Sequence, residues 1–273
     1  MNNADLSVEM RPGLVGKRIK RTEDPRLLSG NGQYVDDIKL PGMVHVAVLR
    51  SDQPHALIRE IRVEAAMDVP GLIAIFDTTD LEDGIKPAIP SSRMKGYYAT
   101  PYWPLARGKV RYVGEPVLTV VAESRYAAED ALALIEVDYE SLPFAVRQVD
   151  AAKDDAPLLH EEAGTNVIIT REFGRGEVDA AFERAHVTVA AQLRMTRKTA
   201  TSMENRCYLA DYDPRRMAVT LWTSSNIPGI VKDALADCLS LPGNRLRVIA
   251  PDVGGSFGGK GSLYHEEMLV CAL

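Results

Sequence analysis

Arg247-Val-Ile-Ala-Pro-Asp-Val-Gly-Gly-Ser-Phe-Gly-Gly-Lys260 joins a short apolar run to a cluster of glycines. Leu246 to Ala250 reads as a strand, and Pro251-Asp252 ends it. Glycines 254, 255, 258 and 259 then surround Ser256 and Phe257. Glycine lets the backbone approach a ligand closely and permits positive φ. Successive free N–H groups in such a loop form a concave anion site. The stretch therefore suits something phosphate-like or oxide-like, held by the main chain. A plain tight turn between strand and helix is the alternative. The apolar run before the loop and the length of the glycine cluster favour binding.

Downstream, Tyr264 to Leu273 has the pattern of a helix, apolar from Met268 onward. Nothing in the sequence caps its end, so exposed apolar surface is expected there, implying a chain cut short or covered by another polypeptide. Upstream, Pro228 can start a helix, and Ile230 to Leu239 has apolar residues at helical spacing, stopped by Pro242-Gly243. Cys207 to Tyr212 and Ala218 to Trp222 predict a hairpin around Asp213-Pro214-Arg215. His186 to Met195 alternates apolar and polar, which predicts a half-buried strand. Asp179 to Ala185 predicts a short helix. A second unit thus begins at Val167.

Residues 146–166 are polar and broken by Pro157 and Gly164, and read as a linker, with His160 at the surface. Before it, Val44–Leu49, Ile58–Val63, Leu72–Phe76, Val110–Val113, Pro116–Ala122 and Ile135–Tyr139 predict strands. Ser124 caps a helix reaching about Leu134, and Ala65–Met67 forms a helical turn. Residues 82–108, with four prolines, read as an irregular surface segment. Lys17-Arg-Ile-Lys-Arg21, beside Glu23 and Asp24, reads as a solvated face. The class is α+β, with one unit closing near residue 145.

Bulk properties narrow the chemistry. The chain has 273 residues and a formal charge of −6, without the Lys and Arg surplus that nucleic-acid binding needs. Met1 to Gly13 has no apolar signal core, and no run of about 18 apolar residues predicts a membrane span. Cys207, Cys238 and Cys271 form no CxxC pair, which fits a reducing cytoplasm rather than a disulfide frame or zinc site. Gly254-x4-Gly259-Lys260 matches the start of a nucleotide-binding P-loop, but Gly261 stands where the magnesium-ligating hydroxyl belongs. A Rossmann fingerprint, a Gly-x-Ser-x-Gly elbow and a His-Glu-x-x-His helix do not occur.

Val253-Gly-Gly-Ser-Phe-Gly-Gly-Lys260 resembles the Gly-Gly-Gly-Phe-Gly-Gly-Lys motif of the molybdenum hydroxylases, which include xanthine dehydrogenase, aldehyde oxidase and aerobic carbon monoxide dehydrogenase. Further stretches agree, in the family's order. Val15-Gly-Lys-Arg to Tyr34-Val-Asp-Asp-Ile38 is similar to its opening segment, and Leu40 to Ser51 to its first strand. Val110 to Val117 and Ala127 to Ala131 resemble its hammerhead α/β domain. Ser202-Met-Glu-Asn-Arg206 is similar to Pro-Met-Glu-Pro-Arg, and Ser224-Ser-Asn-Ile-Pro228 to Ser-Thr-Gln-x-Pro.

The resemblance implies a hammerhead-type domain in residues 1–145, the linker, and part of the first molybdopterin-binding domain in 167–273. It implies that Gly254, Gly255, Ser256, Phe257 and Gly258 bring main-chain N–H groups to a molybdenum–pterin centre, with Phe257 beside an oxo ligand. Asn226 stands where the family's glutamine donates its amide to that oxo group, one methylene shorter. Ser256 replaces a glycine and would be strained at positive φ. Gly261 replaces the purine-oxidising branch's glutamate, which counts against xanthine. The implied reaction is hydroxylation of an aldehyde or N-heterocycle with water-derived oxygen, the cytosine dinucleotide being one candidate form of the pterin. [2Fe-2S] clusters and FAD are expected on an iron–sulfur subunit and a FAD subunit. No catalytic residue is assigned: the family's general base lies further towards the C-terminus. A second polypeptide carrying the remaining molybdopterin domain is one expectation, and a split non-catalytic scaffold or assembly subunit is the competing one.

Overall fold

A computed structural model describes residues 13–90 and 94–273. Residues 1–33 and 34–273 are two separate units. In the first, α1 (Asp24–Leu28) opens with Pro25 in its first turn, and Arg21 lies 3.7 Å from Asp24. The absence of a signal core in Met1–Gly13 concerns residues almost wholly outside those described.

The second unit runs β1 (His45–Arg50), β2 (Ala56–Arg62), β3 (Leu72–Phe76), β4 (Lys109–Val110), β5 (Pro116–Ala122), α2 (Arg125–Ala133), β6 (Glu136–Ser141), α3 (Gln148–Ala151), α4 (Val178–Glu183), β7 (Tyr208–Asp213), β8 (Ala218–Thr223), α5 (Pro228–Cys238), β9 (Leu246–Ile249) and α6 (His265–Ala272). Its strands form three sheets, in the orders β1-β5-β3, β4-β2-β6 and β7-β8-β9.

The first two sheets share one core. All seven residues of β5 are buried, with antiparallel β1 and β3 on its edges. Ser124 caps α2 by accepting the Ala127 N–H at 3.1 Å. Ala127, Ala128 and Ala131 are buried in the same core, and their small side chains let α2 sit close to the strands.

The third sheet positions the glycine loop. β7 and β8 form the expected antiparallel hairpin, and β9 lies parallel to β8, Val219 facing Leu246 and Trp222 facing Ile249. α5 is the crossover that a parallel pair requires. Leu221, Val231, Leu235, Leu246, Met268 and Leu269 make the second core. Parallel strands end on the same side, so the segments after Thr223 and after Ile249 leave the sheet together. In open sheets with parallel strands, ligands sit at that carboxyl end.

Several expectations change. Residues 82–108 are irregular but not merely superficial: Ile85 and Leu105 are buried in the second core, and Ala88 bridges to Tyr102. Positions 91–93 of that stretch lie outside the described residues. The strand expected over Val110–Val113 stops at Val110, because the chain turns into Gly114 at φ 95° and Glu115 captures the Arg111 N–H. His186–Met195 has the alternation of a strand but no ladder partner among the described residues, and Val187, Val189, Leu193 and Met195 are each at least 70% exposed. Alternation specifies which face is apolar; pairing needs a neighbour to take the backbone hydrogen bonds. The apolar surface expected on the last helix is largely covered within this chain, with Met268 and Leu269 fully buried in the core. Residues 146–166 contain α3 and a 3-10 turn at Glu161–Ala163, and the Asn166 side chain ties Leu159, Ala151 and Pro157 together.

Candidate functional site

The loop after β9 meets the loop after β8. The Asn226 N–H and the Ser225 hydroxyl both donate to the Lys260 carbonyl, at 3.2 and 3.3 Å. Ser225 also accepts from Ile227, and its own N–H donates to Thr223, so the turn before α5 is fixed from both ends. Thr223 in turn donates to the buried Glu267 carboxylate at 2.6 Å. The other oxygen of Glu267 accepts the Tyr264 N–H at 2.8 Å, closing a cap on α6. Burial raises the Glu267 pKa above the ordinary carboxylate value. The Tyr264 hydroxyl reaches back to the Gly259 carbonyl at 2.7 Å.

Segment 200–206 holds the other flank. Glu204 Oε2 accepts the Gly254 N–H at 2.7 Å and Lys260 Nζ at 2.6 Å, and the Glu204 N–H donates to the Gly254 carbonyl. Only 2% of the Lys260 side chain and 13% of the Glu204 side chain are exposed. A Cβ on Gly254 would collide with the Cβ of Glu204, and one on Gly259 would lie 2.9 Å from that of Ala200. These glycines are dictated by close packing.

Conformation dictates two others. Gly255 has φ 98° and Gly258 φ 89°, and Phe257 adopts φ 47° between them. Ser256 is not a left-handed position, so the strain expected there is absent; it is Phe257 that carries it. The Gly259 N–H is satisfied by the Ser256 carbonyl at 2.7 Å. Among the described residues, the amides of Gly255, Ser256, Phe257 and Gly258 find no acceptor. Phe257 is 79% exposed. Asn226 is exposed beside this loop, and its Oδ1 accepts from the Ser256 hydroxyl at 3.1 Å.

All six site residues named from sequence thus belong to one loop pair. A P-loop is a poor description of it. Lys260, which would have to reach a phosphate, is buried on Glu204, and α6 starts only at His265.

The loop can be set beside known proteins. A family profile described as the molybdopterin cofactor-binding domain matches residues 159–273. Another, described as the aldehyde oxidase and xanthine dehydrogenase a/b hammerhead domain, matches residues 29–143. The chain belongs to the molybdenum hydroxylase family. It is 39% identical over 257 residues to the nicotine 6-hydroxylase large subunit of Paenarthrobacter nicotinovorans, covering 94% of this chain and 31% of that one. It is 33% identical over 277 residues to the carbon monoxide dehydrogenase large chain of Hydrogenophaga pseudoflava, covering 97% and 33%. The crystal structure of quinoline 2-oxidoreductase from Pseudomonas putida 86 superposes with a TM-score of 0.88 at 36% identity, over 96% of this chain and 33% of that one. The chain therefore spans about a third of the length of the curated relatives it matches. Its mixed architecture is that of the molybdenum hydroxylases, a hammerhead domain followed by a molybdopterin-domain portion.

Sequence reading missed the residues that support the loop. Glu204 was visible inside Ser202–Arg206 as a motif, without the role of clamping Gly254 and Lys260. Glu267 stands three residues after Tyr264, the spacing of a capping box, but the same glutamate also serves Thr223 on another strand. A cavity of about 1080 Å3 lies apart from the loop residues 254–258; it meets only Gly259 and Lys260 of the motif, and is walled by segment 199–212 and by Val35 to Val48.

Proposed function

We propose that this chain is a molybdopterin-binding component of a molybdenum hydroxylase that oxidises an aldehyde or N-heterocycle with water-derived oxygen. The observation that carries the reading is the run of four amides, Gly255 to Gly258, that find no acceptor among the described residues, set against the Asn226 side chain. Metal-bound oxides accept hydrogen bonds, so preorganised main-chain donors suit them. Gly255 to Gly258 and Asn226 would hold the oxo face of the centre, with exposed Phe257 packed beside it. When bound, the molybdenum–pterin group supplies the two-electron oxidation. The chain's residues supply donors, orientation and an apolar wall.

Proton transfer comes from outside these loops. Glu204 is committed to Lys260 and Gly254, and Glu267 is fully buried on Thr223 and Tyr264. The reading therefore includes a general base supplied by other residues of the complete subunit. It divides the chain into 1–145, the linker 146–166 and 167–273, and adds a cytoplasmic location and partner subunits carrying [2Fe-2S] clusters and FAD. The relatives, among them a nicotine 6-hydroxylase and a quinoline 2-oxidoreductase, favour an N-heterocycle as substrate.

The test is metal and pterin analysis of the native complex, followed by oxidation of N-heterocycles and aldehydes in 18O-water. Stoichiometric molybdenum with label in the product supports the reading. Molybdenum without turnover would leave a scaffold subunit, and absence of molybdenum would overturn the assignment.

A further inference from the structure

We infer that Ser256 is a positioning residue that fixes the Asn226 amide as a fifth donor of the loop. The inference rests on the molybdopterin reading above and deepens it. Thirty residues separate the two positions, yet Ser256 Oγ donates to Asn226 Oδ1 at 3.1 Å. The loop pair departs from the resembled motifs at Ser225, Asn226 and Ser256, and the last two contact one another.

An exposed asparagine side chain samples several rotamers, and its terminal torsion is broad and roughly two-fold. An acceptor or donor on either face would satisfy it equally in water. The Ser256 hydroxyl breaks that symmetry: it occupies the carbonyl end, leaving the NH2 end to donate elsewhere. The backbone end is fixed independently, because the Asn226 N–H is bonded to the Lys260 carbonyl and Ser225 anchors the preceding turn. The side chain is thus held at both ends by the same glycine loop whose amides lack acceptors.

A serine fits where it stands because its φ is not in the left-handed region, which Gly255, Phe257 and Gly258 occupy instead. Glycine at 256 would leave the backbone donors in place but free the Asn226 carbonyl. The shorter asparagine and the added hydroxyl therefore act as one unit.

A double-mutant cycle tests this in the native complex. Ser256→Ala, Asn226→Ala and the double variant are compared for the half-time of molybdenum loss in moderate urea with excess chelator, and for the paramagnetic spectrum of the reduced metal. Each single change is expected to shorten retention about 2- to 10-fold, the range of one hydrogen bond. The double variant should lose no more than the weaker single, with the same spectral shift in all three. Ser256→Thr, which keeps the hydroxyl, should restore the native half-time and spectrum. Multiplying effects, or a Ser256→Ala complex indistinguishable from the native one, would overturn the coupling while leaving the molybdenum assignment intact. A native complex without molybdenum would overturn both.

Discussion

Lys260 Nζ lies 2.6 Å from Glu204 Oε2, and 2% of the lysine side chain is exposed. The same carboxylate oxygen holds the Gly254 N–H, so one glutamate fastens both ends of the glycine loop. Removing one member of a buried ion pair strands the other charge, at a cost of about 3–5 kcal/mol. Glu204→Ala is expected to lower the thermal midpoint strongly. Glu204→Gln combined with Lys260→Met should recover much of the loss, since no unpaired charge remains. Unfolding curves of the two variants and the native protein decide it; equal midpoints for Glu204→Ala and the native protein would count against the clamp.

Two glycine substitutions separate crowding from backbone conformation. Gly254→Ala places a methyl group against the Glu204 side chain, so the loop must move. Gly258→Ala meets open space but requires a non-glycine residue at φ 89°. The second should cost about 1–2 kcal/mol, the first more. Denaturant midpoints give the order directly, and a reversed order would show that packing against Glu204 is not the constraint.

His265 predicts a pH dependence. It is stacked on Tyr102 at 3.9 Å, bonded to the Trp103 carbonyl at 2.7 Å and to the Tyr112 hydroxyl at 2.7 Å. Burial lowers its pKa to about 4 from an ordinary value of 6.5. The unfolded chain therefore takes up the proton first as pH falls. Stability is complete above pH 6.5 and declines towards pH 4, by on the order of 3 kcal/mol for this group. His265→Gln should flatten that part of the stability profile, as read from urea midpoints between pH 7 and 4.5. An unchanged slope would remove His265 as its source.

Thr223→Val keeps the shape of the side chain and removes a donor to the fully buried Glu267 and an acceptor for the Ser225 N–H. A buried acceptor left unpaired costs about 1–3 kcal/mol. Because Ser225 is the next link to the Lys260 carbonyl, the loss should extend to faster amide exchange at Asn226 and Ile227. Exchange confined to Thr223 would show that the chain of contacts does not transmit.

The third sheet was legible because each of its elements carries its own local signal: Pro228 opens α5, Asp213-Pro214 turns the hairpin, and Leu246–Ile249 is a short apolar run before a proline. The glycine loop was legible for the same reason. What escaped depends on partners distant in sequence. Ile85 and Leu105 look like loop residues until the second core closes over them. His186–Met195 shows a strand's alternation, which cannot disclose whether a neighbouring strand is present. At the site, Glu204 and Glu267 act through contacts 44 to 56 residues away, and only folding brings those groups within reach.

The parallel pairing of β8 and β9 has a consequence for how such a loop pair can vary. The register from Val219–Leu246 to Trp222–Ile249 sets the spacing of the two strand ends, while α5 packs Val231 and Leu235 into the core behind them. A one-residue slip in the ladder would carry Asn226 away from Ser256 altogether.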